Sequence, residues 1–349
     1  LNKILARRLA PLSLLIICWL ASPPSAAARP TTRVESPILR LTTSIKDLHR
    51  KKEVRLHVLC PRLGAHLPCV VFSPEAGIDA AVYDALTEYW AAKGLVVIIP
   101  EHDDSPANLK HSGHSLDTVD IAVLEQTTPQ LWIDRVADIE LLLDEVAILW
   151  RHLPPLKDKI DPRRVGLAGD RVGALAAMLL EGATTKGVPP LGDERPRAFL
   201  LLCAPGAGVY GLTKSSFDGL KRPTLVASGG RDFWHDELPD WHLMAFWGGP
   251  ARGKWALTLL RAGLTDWFKA GASFMPSLNE SEMAAMKNLQ IVTTTFWDAQ
   301  LAGAAEAQKK LSNGQLERDG AGSIRFYVRQ EPRNARKHVD EALRYQLAL

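Results

Sequence analysis

Two rhythms of hydrophobic and polar residues run along the chain, and each switch between them marks an element. Val54-Arg55-Leu56-His57-Val58-Leu59-Cys60 alternates with the two-residue period of a strand. Cys69-Val70-Val71-Phe72-Ser73 is a short apolar run suited to a strand buried on both faces. Residues 79–93 then set Val82, Leu86 and Trp90 on one helical stripe and stop at Gly94, whose freedom at positive φ suits a helix C-cap. Leu95-Val96-Val97-Ile98-Ile99-Pro100 follows at once. Strand, helix, strand in this order predicts a crossover unit of a parallel sheet.

The polar stretch 101–130, rich in Asp, His and Ser, is long for a connection and predicts an excursion on a functional rim. An amphipathic helix is expected over 131–152, with Val136, Ile139, Leu143, Val146 and Leu149 on its apolar stripe and Pro154 and Pro155 beyond its end. The pattern then repeats: strand 165–168, helix 172–181, strands at 198–203, 224–228 and 255–260, a helix over 280–311 and a strand-like run at 323–328. The fold class is α/β, a doubly wound, mostly parallel sheet flanked by helices. Residues 29–349 are expected to form one such domain, with 266–349 as a helical extension.

Composition narrows the function. The formal charge of +3 comes from Lys3, Arg7 and Arg8, since the remaining residues carry 39 basic and 39 acidic side chains. A near-neutral chain argues against nucleic-acid binding, which needs a concentrated basic surface. The same three cations precede an apolar run, Leu9 to Leu20, and small residues ending at Ala28. Residues 1–28 therefore predict a cleaved export signal, to the periplasm or outside. Twelve apolar residues fall short of the roughly 20 that span hydrocarbon, so no stable membrane span is expected after cleavage. In an oxidising compartment Cys60 and Cys69 would either bridge a short loop or remain buried thiols, with Cys203 unpaired.

Four segments carry a family resemblance: Leu67-Pro68-Cys69-Val70-Val71-Phe72-Ser73-Pro74-Glu75-Ala76-Gly77, Gly94 to His102, Asp161 to Ala174, and Arg222 to Asp232. Read together they resemble the α/β-hydrolase fold, and within it the dienelactone hydrolases and platelet-activating-factor-acetylhydrolase-like esterases, over about residues 50–310. The resemblance implies hydrolysis of short acyl or lactone esters by a serine, a histidine and an acid, with no cofactor. In such enzymes a tight Gly-x-Ser-x-Gly turn pushes the serine oxygen into the open.

The chemistry departs from that pattern at the residues that matter. The turn reads Gly169-Asp170-Arg171-Val172-Gly173, with both glycines present and arginine where the nucleophile belongs. A guanidinium stays protonated and cannot form an acyl intermediate. Leu264 stands at the histidine position, and no histidine occurs between His242 and His338. Asp232 matches the acid. The oxyanion segment, Ser-His-Gly in the family, is Ser73-Pro74-Glu75, so backbone donors are expected at Ala76 and Val172 with a carboxylate beside them. The expectation is an inert hydrolase scaffold with a structural or anion-binding role, in which Arg171 either pairs with Asp232 or joins Glu75 in holding a small anionic or ester-like ligand. An active carboxylester hydrolase with relocated residues is the alternative.

Other chemistry-bearing residues point less far. Gly113-His114-Ser115-Leu116-Asp117 echoes a nucleophile turn but lacks its final glycine. His102, Asp103, Asp104, His111 and His114 carry metal-ligand atoms without a familiar ligand spacing, and no metal is expected. Trp234, Trp241, Trp247 and Trp255 suit packing or a pocket wall. The tail cations Arg325, Arg329, Arg333, Arg336, Lys337 and Arg344 suit a solvated face.

Overall fold

The computed structural model describes residues 37–112, 128–233, 237–264 and 278–329. The expected leader at 1–28, the Gly113–Asp117 motif, Trp234 and the tail beyond 329 lie outside them. Nine strands form one sheet in the order β1-β2-β4-β3-β5-β6-β7-β8-β9. They are β1 (Ile38–Asp47), β2 (Lys52–Pro61), β3 (Leu67–Ser73), β4 (Val96–Glu101), β5 (Ile160–Asp170), β6 (Ala198–Leu202), β7 (Thr224–Gly229), β8 (Lys254–Leu259) and β9 (Ile324–Arg329). From β4 to β8 every neighbouring pair is parallel, while β1, β2 and β9 pair antiparallel at the margins.

The central strands are apolar along their whole length because both faces are covered. Period-two alternation sends Cys69 and Val71 of β3 to one core, and Val70 and Phe72 to the other. On the first face lie α3 (Pro129–Glu145), through Trp132, Val136 and Ile139, and α4 (Val172–Glu181), buried at every residue. On the second lie α1 (Asp84–Ala92) and α5 (Glu280–Gln300), joined by Trp90 Nε1 donating to Thr293 Oγ1 at 2.9 Å. A short α2 (Pro106–His111), capped by Ser105, follows β4. Among the described residues no helix is long and apolar enough to cross a membrane.

Several expectations change in detail. Strand β1 went unrecognised, since only Ile38 and Ile45 of its ten residues are fully buried and its centre is Thr42-Thr43-Ser44. The helix expected over 131–152 ends at Glu145 and tightens into a 3₁₀ turn at Leu149–Arg151. The helix expected over 280–311 breaks after Gln300, where Gly303 at φ 69° turns the chain into a separate helix, Ala305–Lys310. Cys60 and Cys69 are buried free thiols. They sit on β2 and β3 with β4 between them, two strand spacings of about 4.8 Å apart, beyond the reach of a disulfide.

The turn from β5 into α4 is the tightest packing in the fold. A Cβ on Gly169 would lie 2.2 Å from the Gly173 carbonyl carbon, and one on Gly173 would lie 2.0 Å from the Ser73 carbonyl oxygen. Both neighbours are backbone, so neither can yield. The glycines are therefore required by the seating of α4 on β3, whatever residue stands between them. Gly173→Ala is expected to destabilise by several kcal/mol in urea unfolding; a loss within about 0.5 kcal/mol would contradict this packing.

Candidate functional site

Arg171 occupies the apex of that turn with φ 49° and ψ −106°, a conformation that costs a non-glycine residue about 1–3 kcal/mol. Its amide donates to Leu202 O at 3.0 Å and its carbonyl accepts from Leu175 N at 2.9 Å, so strand and helix hold the bend from both sides. The side chain is thereby delivered to the C-terminal edge of the parallel strands, where open α/β sheets bind ligands. A crevice there is lined by Arg171, Val172, Cys203, Tyr210, Trp241 and His242, with Pro205.

Arg171 forms an ion pair with Glu75, Nε to Oε2 at 2.5 Å, and among the ion pairs of the described residues there is none with Asp232, the partner weighed from the sequence. Glu75 leaves the end of β3 and folds its side chain back, so that Oε1 accepts from the Ala76 amide at 3.0 Å. The donor expected to hold an oxyanion thus holds the protein's own carboxylate. Glu75 N donates to Tyr83 Oη at 3.1 Å, and Tyr83 Oη donates to Asp170 Oδ2 at 2.9 Å, tying the segment to the residue before the apex. Burial raises the Asp170 carboxyl well above its usual value, and the charge of Glu75 adds to this. Its Oδ1 is buried with no hydrogen-bond partner. Burial also raises Glu75, against the opposing pull of Arg171. Burial disfavours the Arg171 charge, but Glu75 and Asp170 outweigh it and hold the guanidinium above its usual value.

Asp232 and Leu264 are in contact. Asp232 Oδ2 accepts from Gly229 N at 2.6 Å, from Leu264 N at 3.2 Å and from the Cys203 thiol at 3.3 Å. The Asp232 carboxylate is therefore engaged by backbone and thiol, and Leu264 beside it is wholly buried. Cys203, at φ 43° on the end of β6, is also buried; burial and the charge of Asp232 push its thiol well above its usual value, which disfavours a nucleophilic thiolate. His242 was not singled out from the sequence. Its Nδ1 donates to Ala204 O at 2.9 Å, and burial lowers its pKa, so the ring in the crevice is neutral.

A second constellation, dispersed in sequence, has the hydrogen-bond order of a catalytic triad. Ser73 Oγ lies 3.0 Å from His102 Nε2, and His102 Nδ1 lies 2.9 Å from Asp138 Oδ2. Asp138 also meets Lys52 at 3.0 Å and Arg50 at 2.8 Å. Arg135 binds Asp104 through two nitrogens, at 2.7 and 2.6 Å, and reaches Ser73 Oγ at 3.2 Å and Pro74 O at 2.6 Å. His102, Asp103 and Asp104, weighed above as metal donors, are thus committed to Asp138, Lys52 and Arg135. Among the described residues no group of three His, Cys, Asp or Glu is placed to hold a metal ion. Ser73 is wholly buried and lines neither the crevice above nor its neighbour beside His102, Asp104 and Arg135. The cluster braces the end of β3, and with it Glu75.

Protonation of this brace has a defined sign. Burial raises Asp138, but the hydrogen bond from His102 and the charge of Lys52 prevail and lower it from 3.8 to about 2. Burial and Arg135 lower His102 from 6.5 despite Asp138, so a neutral ring faces an ionised carboxylate. Both groups bind protons more readily in the unfolded chain. Stability should fall as pH drops below about 6.5 and again between about 4 and 2, where Asp138 accounts for about 2 kcal/mol. Urea unfolding across this range should show a shallower acid limb for Asp138→Asn than for wild type; equal limbs would contradict the assignment.

Comparison with known proteins places these features on a widespread scaffold. No family model matches the chain, and no curated protein matches it. A ferulic acid esterase from Streptomyces cinnamoneus is similar in structure, with a TM-score of 0.56 at 18% identity over 86% of this chain and 98% of that one. At that identity the likeness shows the fold alone. The mostly parallel sheet, its flanking helices and the sharp strand-to-helix turn make this a hydrolase-like α/β fold.

Proposed function

We propose that this protein is an exported relative of the dienelactone hydrolase and acetylhydrolase-like esterases that no longer hydrolyses esters. The carrying observation is Glu75, seated on the Ala76 amide and against Arg171, in the space where an acyl-enzyme would need its oxyanion donor. The apex offers no attacking oxygen and the base position offers no ring nitrogen. Loss of a single triad member leaves residual catalysis of about 10³–10⁴ over water from oxyanion donors and binding, and here the donor too is occupied. The esterase likeness in fold supports a carboxylester-hydrolysing ancestry, and the apolar segment before Ala28 supports export.

The competing reading is an active hydrolase at Ser73, favoured by the Ser73–His102–Asp138 chain. Complete burial of Ser73 and the Arg135 bond to its oxygen oppose it. A panel of p-nitrophenyl esters should show no turnover above buffer, and a fluorophosphonate probe should label no serine. Labelling at Ser73, lost in Ser73→Ala, would establish the competing reading.

Restoring only Arg171→Ser and Leu264→His should leave the protein inactive, because Glu75 still fills the donor site. Adding Glu75→Gly should raise turnover of p-nitrophenyl acetate above that double variant. Equal activity with and without the third change would show that Glu75 does not block the site.

A further inference from the structure

We propose that the end of the sheet opposite Arg171 is a peripheral docking face for a bilayer carrying anionic lipid. Two stretches build it: residues 62–66, between β2 and β3, and residues 150–164, which lead into β5 and open it. Backbone and side-chain bonds lock them together. His66 N donates to Asp158 O at 2.8 Å and Leu67 N to Lys159 O at 2.6 Å, while Lys159 Nζ donates to Arg62 O at 2.8 Å. Strand β5 runs from this face to the Arg171 bend, so the two places occupy opposite ends of one strand.

Charge is segregated here in a chain whose acids and bases otherwise cancel. The two stretches carry Arg62, Arg151, Lys157, Lys159, Arg163 and Arg164 against Asp158 and Asp161. Asp161 is itself engaged, accepting from Arg164 Nε at 2.9 Å and from the Arg163 amide at 3.0 Å. Arg62, Arg151, Lys157 and Arg163 are exposed. Each cation held near a surface of anionic lipid adds about fivefold to binding, so several acting together make a docking surface where one would not.

Exposed hydrocarbon among the cations selects a bilayer over a soluble polyanion. Leu63 is 85% exposed, and Ala65, Trp150, Pro154 and Pro155 are exposed with it. The Arg151 guanidinium stands 5.9 Å from the centre of the Trp150 ring, a pairing of indole and cation suited to the headgroup layer. A phosphate backbone would neutralise the cations but leave Leu63 in water, whereas the boundary between headgroups and acyl chains accommodates both. The chain ahead of the described residues joins at the same place: Pro37 O accepts from Arg62 N at 3.0 Å, and Arg29 and Arg33 precede it in sequence.

Lysine footprinting of the full chain tests this, with an N-hydroxysuccinimide acetate reagent and mass spectrometry in the presence of large unilamellar vesicles. Residues 9–20 are apolar, so vesicle attachment alone would not identify the face, and the reaction is read at single lysines. Vesicles of equimolar phosphatidylcholine and phosphatidylglycerol should slow acetylation of Lys157 about fivefold or more. Lys51, at the other end of β2, should change less than about twofold. Phosphatidylcholine alone should protect neither. Arg151→Ala/Arg163→Ala should raise the lipid concentration for half-protection about tenfold or more, and Leu63→Ser about threefold or more, each variant checked for folding by circular dichroism. Should the double variant fail to fold, Arg163→Ala alone takes its place, with a rise of about fivefold expected and no rise overturning. Unchanged Lys157 reactivity with the anionic vesicles, equal protection of Lys157 and Lys51, or protection undiminished in either folded variant would each overturn the proposal. So would protection of Lys157 by a DNA duplex and none by vesicles, which would make the face a polyanion site.

Discussion

An arginine fixed by the backbone at the edge of a buried sheet must find an anion, and Glu75 supplies it. The bend that presents Arg171 cannot relax, because Gly169 and Gly173 are in backbone contact across it. A long cation delivered there would be costly without a partner in a low-dielectric setting. The carboxylate that follows β3 neutralises the guanidinium at the apex, so Glu75 and Arg171 are a single electrostatic unit.

The surrounding polar groups keep that unit in register. Arg135 holds the Pro74 carbonyl, Tyr83 holds the Glu75 amide, and the Asp104 carbonyl accepts from Gly77 N at 2.8 Å, so the segment after β3 is fixed at successive points. Behind it, Asp138, itself bonded to His102, anchors Arg50 and Lys52 from the β1–β2 end of the sheet. The same bonds that resemble a catalytic relay therefore serve the opposite end, locking the strand terminus. Charge at the opposite edge of the sheet is handled likewise: Lys254 and Glu181, both buried, meet at 3.2 Å and share Thr224.

The parallel sheet was legible because its central strands are apolar runs between amphipathic helices, and the bend because two glycines flank its apex. Arg171, Asp232 and Leu264 each follow a recognisable strand, and Leu264 N meets Asp232. What sequence could not supply was pairing at a distance. Charge alone does not say whether Arg171 turns to Glu75 or to Asp232; that depends on the fold of a few residues after β3. Ser73, His102 and Asp138 lie on β3, just beyond β4 and on α3, so no local spacing announces them. Strand order, equally invisible in a linear pattern, settled Cys60 and Cys69. Strand β1 escaped because a marginal strand with a Thr-rich centre lacks the apolar alternation that marks the others.

The most direct test of the account is a double-mutant cycle for unfolding built from Glu75→Gln and Arg171→Met, because coupling energy isolates the pair from the rest of the network. The account predicts a favourable coupling of about 1–3 kcal/mol that is retained in moderate salt. Additive effects, with coupling indistinguishable from zero, would contradict it.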